Sequence, residues 1–279
     1  MVLKAELVSP RARDWLLRNT AVRVLSVFDK ACNLVDEGGD VVSLTTSELG
    51  AGPFAIVLPF SRIFSDFIRL EMSVARVRTG VLVGGLEVDV RFARVWQPVP
   101  SWHQLSATAV FPLLYTCLPP SLREGQLDMS GFPLSVQDRV NDAITRLVTG
   151  LVAEETAVTL PAVRTLAGLG HGLTPSGDDV LVGVMYGLWA CWPTIKAQRW
   201  CKMLAETAVT CTNTLSAAWL QAASHGEATP PWHELVNGLI TDSKTAVTLA
   251  LARIQQTGHT SGTDALIGFT HLLRQLHTP

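Results

Sequence analysis

The sequence predicts an α+β protein: an antiparallel β-rich barrel or sandwich with a proline-rich connector over residues 1–130, followed by an all-helical bundle over residues 131–279. Three observations carry this reading. Valine-rich segments between residues 22 and 99 alternate apolar and polar residues at period two, residues from 135 onward place apolar side chains at helical spacing, and a run of prolines separates the two patterns. A chain of 279 residues, 48 % of them apolar, is long enough to bury two cores.

The strand region opens with AVRVLSVFDKACNLV, turns at Glu37, Gly38, Gly39 and Asp40, and continues through VVSLTT and GPFAIVLP. The segments EMSVARVRTGVLVGG and LEVDVRFARVWQPVP alternate further, which puts Arg76, Arg78, Glu87, Asp89 and Arg91 on the wet faces of half-buried antiparallel strands. Pro98, Pro100, Pro112, Pro119, Pro120 and Pro133 then interrupt short apolar patches, and the domain boundary is expected in the later part of this stretch. Beyond it, residues 135–154 predict a helix whose stripe is Val140, Ile144, Leu147, Val148 and Leu151. Further helices are expected over 160–167, 178–192, 195–224, 232–257 (interrupted) and 264–277. They are rich in Ala, Gly, Ser and Thr, so they can approach closely, and Gly183 and Gly187 share one face.

Composition narrows the function. With 16 % charged residues and a net charge of -2 there is no basic surplus to hold nucleic acid or an anionic membrane surface. Positive mean hydropathy with so little charge points to a surface covered by a partner. Five cysteines without a CxxC pair argue against a disulfide framework and a zinc site. The start, MVLKAELVSPRARDWLL, lacks a signal-peptide pattern, and the most apolar run, 180–192, is shorter than the roughly twenty residues that span a bilayer. A cytoplasmic location with reduced thiols is the expectation. No metal is expected; Mg²⁺ is the one cofactor left open.

One pattern, S-G-x-D-x-L-x-G, occurs twice in the helical half, from Ser176 to Gly183 and from Ser261 to Gly268, with His171 and His259 upstream at different offsets, and the match suggests related loop-to-helix elements paired by a pseudo-twofold axis. Ser followed three residues later by an acid before an apolar run is a capping box, so structure alone can explain it. The first loop carries more glycine and hydroxyl than a cap needs: Gly168, Gly170, Gly172, Thr174, Ser176 and Gly177. Pro175 in a first helical turn would leave several amides pointing outward, and such a helix start attracts phosphate or carboxylate. Asp179 is expected to cap, leaving Asp178 as the freer carboxylate for a substrate amide. His171 reads equally as a general acid or base and as a loop histidine satisfied by backbone. Thr212, Asn213 and Ser216 form a polar island that either lines the same cavity or hydrogen-bonds between helices. His225, His233, His271 and His277, expected in surface turns or near the end of the chain, receive no role.

The stretch GLGHGLTPSGDDVLVGVMYGL, with SVFDKACNLV, GPFAIVLP and LEVDVRFARVWQP before it and GHTSGTDALIGF after it, resembles the AllH-like family along nearly the whole chain. The resemblance implies a subunit of a multisubunit oxamate carbamoyltransferase from anaerobic allantoin and purine breakdown. That enzyme moves a carbamoyl group between oxalurate and phosphate, giving oxamate and carbamoyl phosphate. Catalysis would then fall to His171 and Asp178. Substrate binding would fall to Gly172, Thr174, Ser176, Gly177, Asp179, Asn213, Ser216, His259, Ser261, Gly262 and Asp264. The implied partners are a small anionic substrate and other subunits. The alternative is a scaffold or regulatory subunit that binds a small anion without turning it over. The chain lacks the Ser-Thr-Arg-Thr phosphate loop of the well-known ornithine and aspartate carbamoyltransferases, which implies a different fold, and no arginine lies inside the glycine loop.

Overall fold

A computed structural model describes residues 1–18, 20–59, 63–105, 107–125, 127, 129 and 132–277. The chain divides into two compact units, Met1–Pro98 with Ala228–Pro230, and Val99–Glu227 with Pro231–Pro279. The first is β-rich and the second helical, so the protein is α+β.

The first unit holds β1 (Val2–Lys4), β2 (Leu7–Val8), α1 (Pro10–Leu16), β3 (Val22–Val27), β4 (Ala31–Asp36), β5 (Val41–Thr46), β6 (Ala55–Leu58), β7 (Val74–Val77), β8 (Gly80–Val83), β9 (Leu86–Asp89) and β10 (Arg94–Val95). They form two sheets, ordered β1-β9-β8-β7 and β10-β2-β6-β5-β4-β3, and neither closes into a barrel. The antiparallel expectation holds for the hairpins β3-β4-β5 and β7-β8-β9. The pairs β1-β9, β10-β2 and β5-β6 are parallel, and in the first two a short N-terminal strand lies alongside a strand from the end of the unit. Val24, Leu34, Leu44 and Ile56 from one sheet and Val81, Val83 and Val88 from the other join one apolar core, which also takes in the buried Trp15 of α1.

Two side chains expected on wet faces are buried instead. The Arg76 side chain is 9 % exposed, pairs with Asp36 at 3.2 Å and lies 4.0 Å over the Trp15 ring, so α1 covers this position. Asp36 also accepts from the amides of Gly38 and Asp40, closing the predicted turn, where Gly39 takes φ 84°. Asp89 is buried under Arg91, which holds it at 2.8 Å.

The second unit contains α2 (Ala107–Cys117), α3 (Pro120–Glu124), α4 (Leu134–Val152), α5 (Thr156–Leu166), α6 (Ser176–Cys191), α7 (Thr194–Ala208), α8 (Thr214–Ser224), α9 (Pro230–Ile240), α10 (Lys244–Gln255) and α11 (Ser261–His277). Much of the proline-bearing stretch is thus helical and belongs to this unit. The predicted stripe of α4 is buried from Val140 to Leu151. The single helix expected over 195–224 breaks into α7 and α8, because Asn213 caps α8 by accepting from the Ser216 amide at 3.1 Å. Between α9 and α10, Asp242 adopts φ 50° and Ser243 caps the next helix. His271 lies within α11, partly buried, with Nε2 2.7 Å from the Gly125 carbonyl. No helix among the described residues is long and apolar enough to cross a membrane.

Candidate functional site

The two copies of S-G-x-D-x-L-x-G open α6 and α11, and the last glycine of each copy seats on the other helix. A Cβ on Gly183 would stand 1.8 Å from the Ala265 carbonyl oxygen, and one on Gly268 would stand 2.1 Å from that of Val180. Val180 and Ala265 hold the same place in the two copies, so the contact is reciprocal, as a pseudo-twofold axis requires. The first glycine of each copy packs on the end of the preceding helix, with Cβ positions 2.0 Å from Leu166 O for Gly177 and 1.7 Å from Ile254 O for Gly262. The glycines therefore set how closely backbone approaches backbone.

That packing also uses the amides expected to face a ligand. Gly177 N–H donates to Leu169 O at 2.8 Å, those of Asp178 and Asp179 to Pro175 O, Gly262 to Thr257 O, and Asp264 to Thr260 O. Gly177 and Gly262 are thus committed to packing and to their own loops. The dipoles of both helices remain, and the Thr174, Ser176 and Ser261 hydroxyls are side-chain groups at these starts that can meet a ligand.

Asp178 and Asp179 exchange the places expected of them. Asp178 is 1 % exposed, and its oxygens accept from Gly168 N–H at 2.9 Å, Thr212 Oγ1 at 2.5 Å and Ser216 Oγ at 2.7 Å. It ties the glycine loop to the start of α8. The polar island of Thr212, Asn213 and Ser216 thereby hydrogen-bonds between helices and caps one of them. Asp179 is not the cap: the N-cap position is Pro175, without a side-chain cap bond. Asp179 faces α11 instead. The Ser261 hydroxyl hydrogen-bonds its carboxyl, and Asp179 Oδ2 is buried with no hydrogen-bond partner among the described residues. Burial, with Asp264 and Asp178 nearby, pushes this carboxyl up to about 8, and the Ser261 bond opposes the shift.

Thr174 Oγ1 lies 2.9 Å from Ser261 Oγ, so the two loops meet through hydroxyls. Thr174, Ser261 and Asp179 are consequently one cluster drawn from both repeats, with Asp264 close enough to act on Asp179. Ser176 is half-buried in the first turn of α6. His171 is exposed and stacks on Phe132, with ring centroids 4.7 Å apart, and Gly172 and His259 are exposed as well. Asn213 is exposed and occupied as a cap. The pairing of the two motif elements about a pseudo-twofold axis is as the equal spacing suggests, whereas the Thr174–Ser261 contact between the loops escaped the sequence reading. Among the described residues no group of three or more His, Cys, Asp or Glu side chains could hold a metal ion.

Fold and site define a two-unit α+β protein whose helical half carries a duplicated loop-and-helix element. The family described as oxamate carbamoyltransferase subunit AllH matches residues 166–273, which bracket both loops, and the AllH family N-terminal domain matches residues 6–95, the β unit. The chain belongs to the AllH family. No solved structure matches it.

Proposed function

We propose that this chain is the subunit of an oxamate carbamoyltransferase-type complex that binds a small anionic substrate at the joint start of α6 and α11. In the reaction, a phosphate oxygen attacks the carbamoyl carbon of oxalurate and the bond from that carbon to the oxamate nitrogen breaks. The nitrogen takes the phosphate proton, leaving oxamate and carbamoyl phosphate. This places the chain in allantoin-derived nitrogen breakdown.

The observation that carries the reading is the Thr174–Ser261 hydrogen bond, which joins the two motif loops inside the region that the family spans. Two helix dipoles point their positive ends at these loops, and on the arrival of an anion the hydroxyls of Thr174, Ser176 and Ser261 can turn from their present partners to donate to carboxylate or phosphate oxygens. His171, on the exposed rim of the loop, is the candidate for proton transfer. Asp178 positions the loop and does not touch substrate.

The second reading, an anion-binding regulatory subunit, is favoured by the five amides of Gly177, Asp178, Asp179, Gly262 and Asp264 that already donate within the protein. Co-expressing the chain with its partner subunits and assaying carbamoyl phosphate formed from oxalurate and phosphate separates the two. Substitutions Thr174→Val and Ser261→Ala should each lower kcat/KM tenfold or more while the complex still assembles. Turnover at saturating substrate that matches the parent would favour the regulatory reading, and unchanged kcat/KM would remove the site from these loops.

A further inference from the structure

An anion arriving at the joint start of α6 and α11 meets three carboxyl groups, those of Asp178, Asp179 and Asp264, at 1, 9 and 2 % exposure. Three negative charges there would defeat the helix dipoles, each worth about half an elementary charge. Asp178 has three donors on its two oxygens. Asp179 differs from Asp178, because its Oδ2 is out of reach of water and accepts no hydrogen bond from the described residues. A buried oxygen without a donor is a poor place for a carboxylate charge and a natural place for a proton.

We propose that Asp179 is held as a neutral carboxylic acid, and that its ionisation decides whether the joint start of α6 and α11 accepts a small carboxylate anion. This rests on reading the loops as an anion site and adds the charge state that lets one bind. The charged groups acting on Asp179 are Asp264, from α11, and Asp178, from its own helix, and both oppose its ionisation. Tyr186, further along α6, is itself shifted upward by burial, with smaller contributions from Glu227 and Asp179. The push on Asp179 to about 8 agrees with the geometry. With Asp179 neutral, the two dipoles and the Thr174 and Ser261 hydroxyls act on the ligand against one charge fewer, and of the two that remain that of Asp178 is met by its own three donors. Once it is ionised, one full charge offsets about the sum of both dipoles. Asp179 is therefore a positioning residue that works through its charge.

The test is isothermal titration of the full chain with oxamate between pH 7 and pH 9.5. Oxamate keeps a single charge through this range, so a change in affinity reports the protein. The expected result is a Kd that is steady near pH 7 and rises about tenfold or more by pH 9.5, approaching tenfold per pH unit. Asp179→Asn, neutral at every pH, should bind with nearly constant Kd across the range. A parent Kd that does not change, or an Asp179→Asn profile that still falls off, overturns the proposal. Should that variant fail to fold, carbon NMR of the carboxyl groups in the parent decides the matter, since an Asp179 found ionised at pH 6 also overturns it. Absence of oxamate binding at any pH defeats the anion-site reading and the proposal with it, whereas binding without a pH response defeats the proposal alone.

Discussion

Replacing Asp178 by alanine removes the acceptor for three donors at once: the Gly168 amide, which the backbone fixes, and the Thr212 and Ser216 hydroxyls, which can turn away. An unsatisfied buried amide costs about 1–3 kcal/mol, and each lost hydrogen bond about 1 kcal/mol more, so the loss is on the order of 3–5 kcal/mol. In a unit of this size that lowers the melting temperature by about 10 °C. Asp178→Asn keeps one acceptor oxygen, and the hydroxyls can accept from its amide, so the cost should fall to about 1–2 kcal/mol. Urea unfolding of both variants, followed by far-ultraviolet circular dichroism, measures the difference. A loss below about 1 kcal/mol for alanine, with unchanged denaturant dependence, would refute the assignment of Asp178 as the anchor between the glycine loop and α8.

Gly183→Ala and Gly268→Ala should each destabilise by about 1–3 kcal/mol in chemical denaturation, because a Cβ at 1.8 or 2.1 Å from a carbonyl oxygen forces α6 and α11 apart. Asp179 has a folded value near 8 against an ordinary 3.8, so the folded state binds the extra proton, and its contribution to stability is full below about pH 4 and lost as pH rises to about 8. Unfolding midpoints compared between the parent and Asp179→Asn should therefore show the variant gaining on the parent through that window, by a few kcal/mol in total; a constant difference would contradict the shift. In the β unit, Arg76→Ala leaves Asp36 without its most buried cation and uncovers Trp15, so a loss of about 3 kcal/mol is expected by urea unfolding.

The sequence disclosed most of the fold through periodicity. Alternating valines marked the hairpins, and the stripe from Val140 to Leu151 marked α4. Pairing between distant strands was not legible, because nothing local in Val2–Lys4 announces a parallel neighbour at Leu86–Asp89. Arg76 looked solvent-facing because period two assigns a face without telling what covers it. Asn213 looked like part of a helical face because an N-cap inside an Ala- and Leu-rich run leaves the apolar spacing almost undisturbed. The duplicated motif was visible. What it did not reveal is that one carboxylate of the Asp178–Asp179 pair faces α8 and the other α11, since adjacent residues point about 100° apart around a helix and only the packing decides which neighbour each meets.

The central claim, that both repeats build one anion site, is tested most directly by thermal unfolding of the full chain with millimolar oxamate, carbamoyl phosphate or phosphate, in the parent and in Thr174→Val and Ser261→Ala. A ligand of the folded state present at a hundredfold excess over Kd adds about 2.7 kcal/mol and must raise the unfolding temperature. The expected result is a rise in the parent that is lost or sharply reduced in both variants, one from each loop. No rise with any of the three anions, or a rise that survives both substitutions, would contradict it.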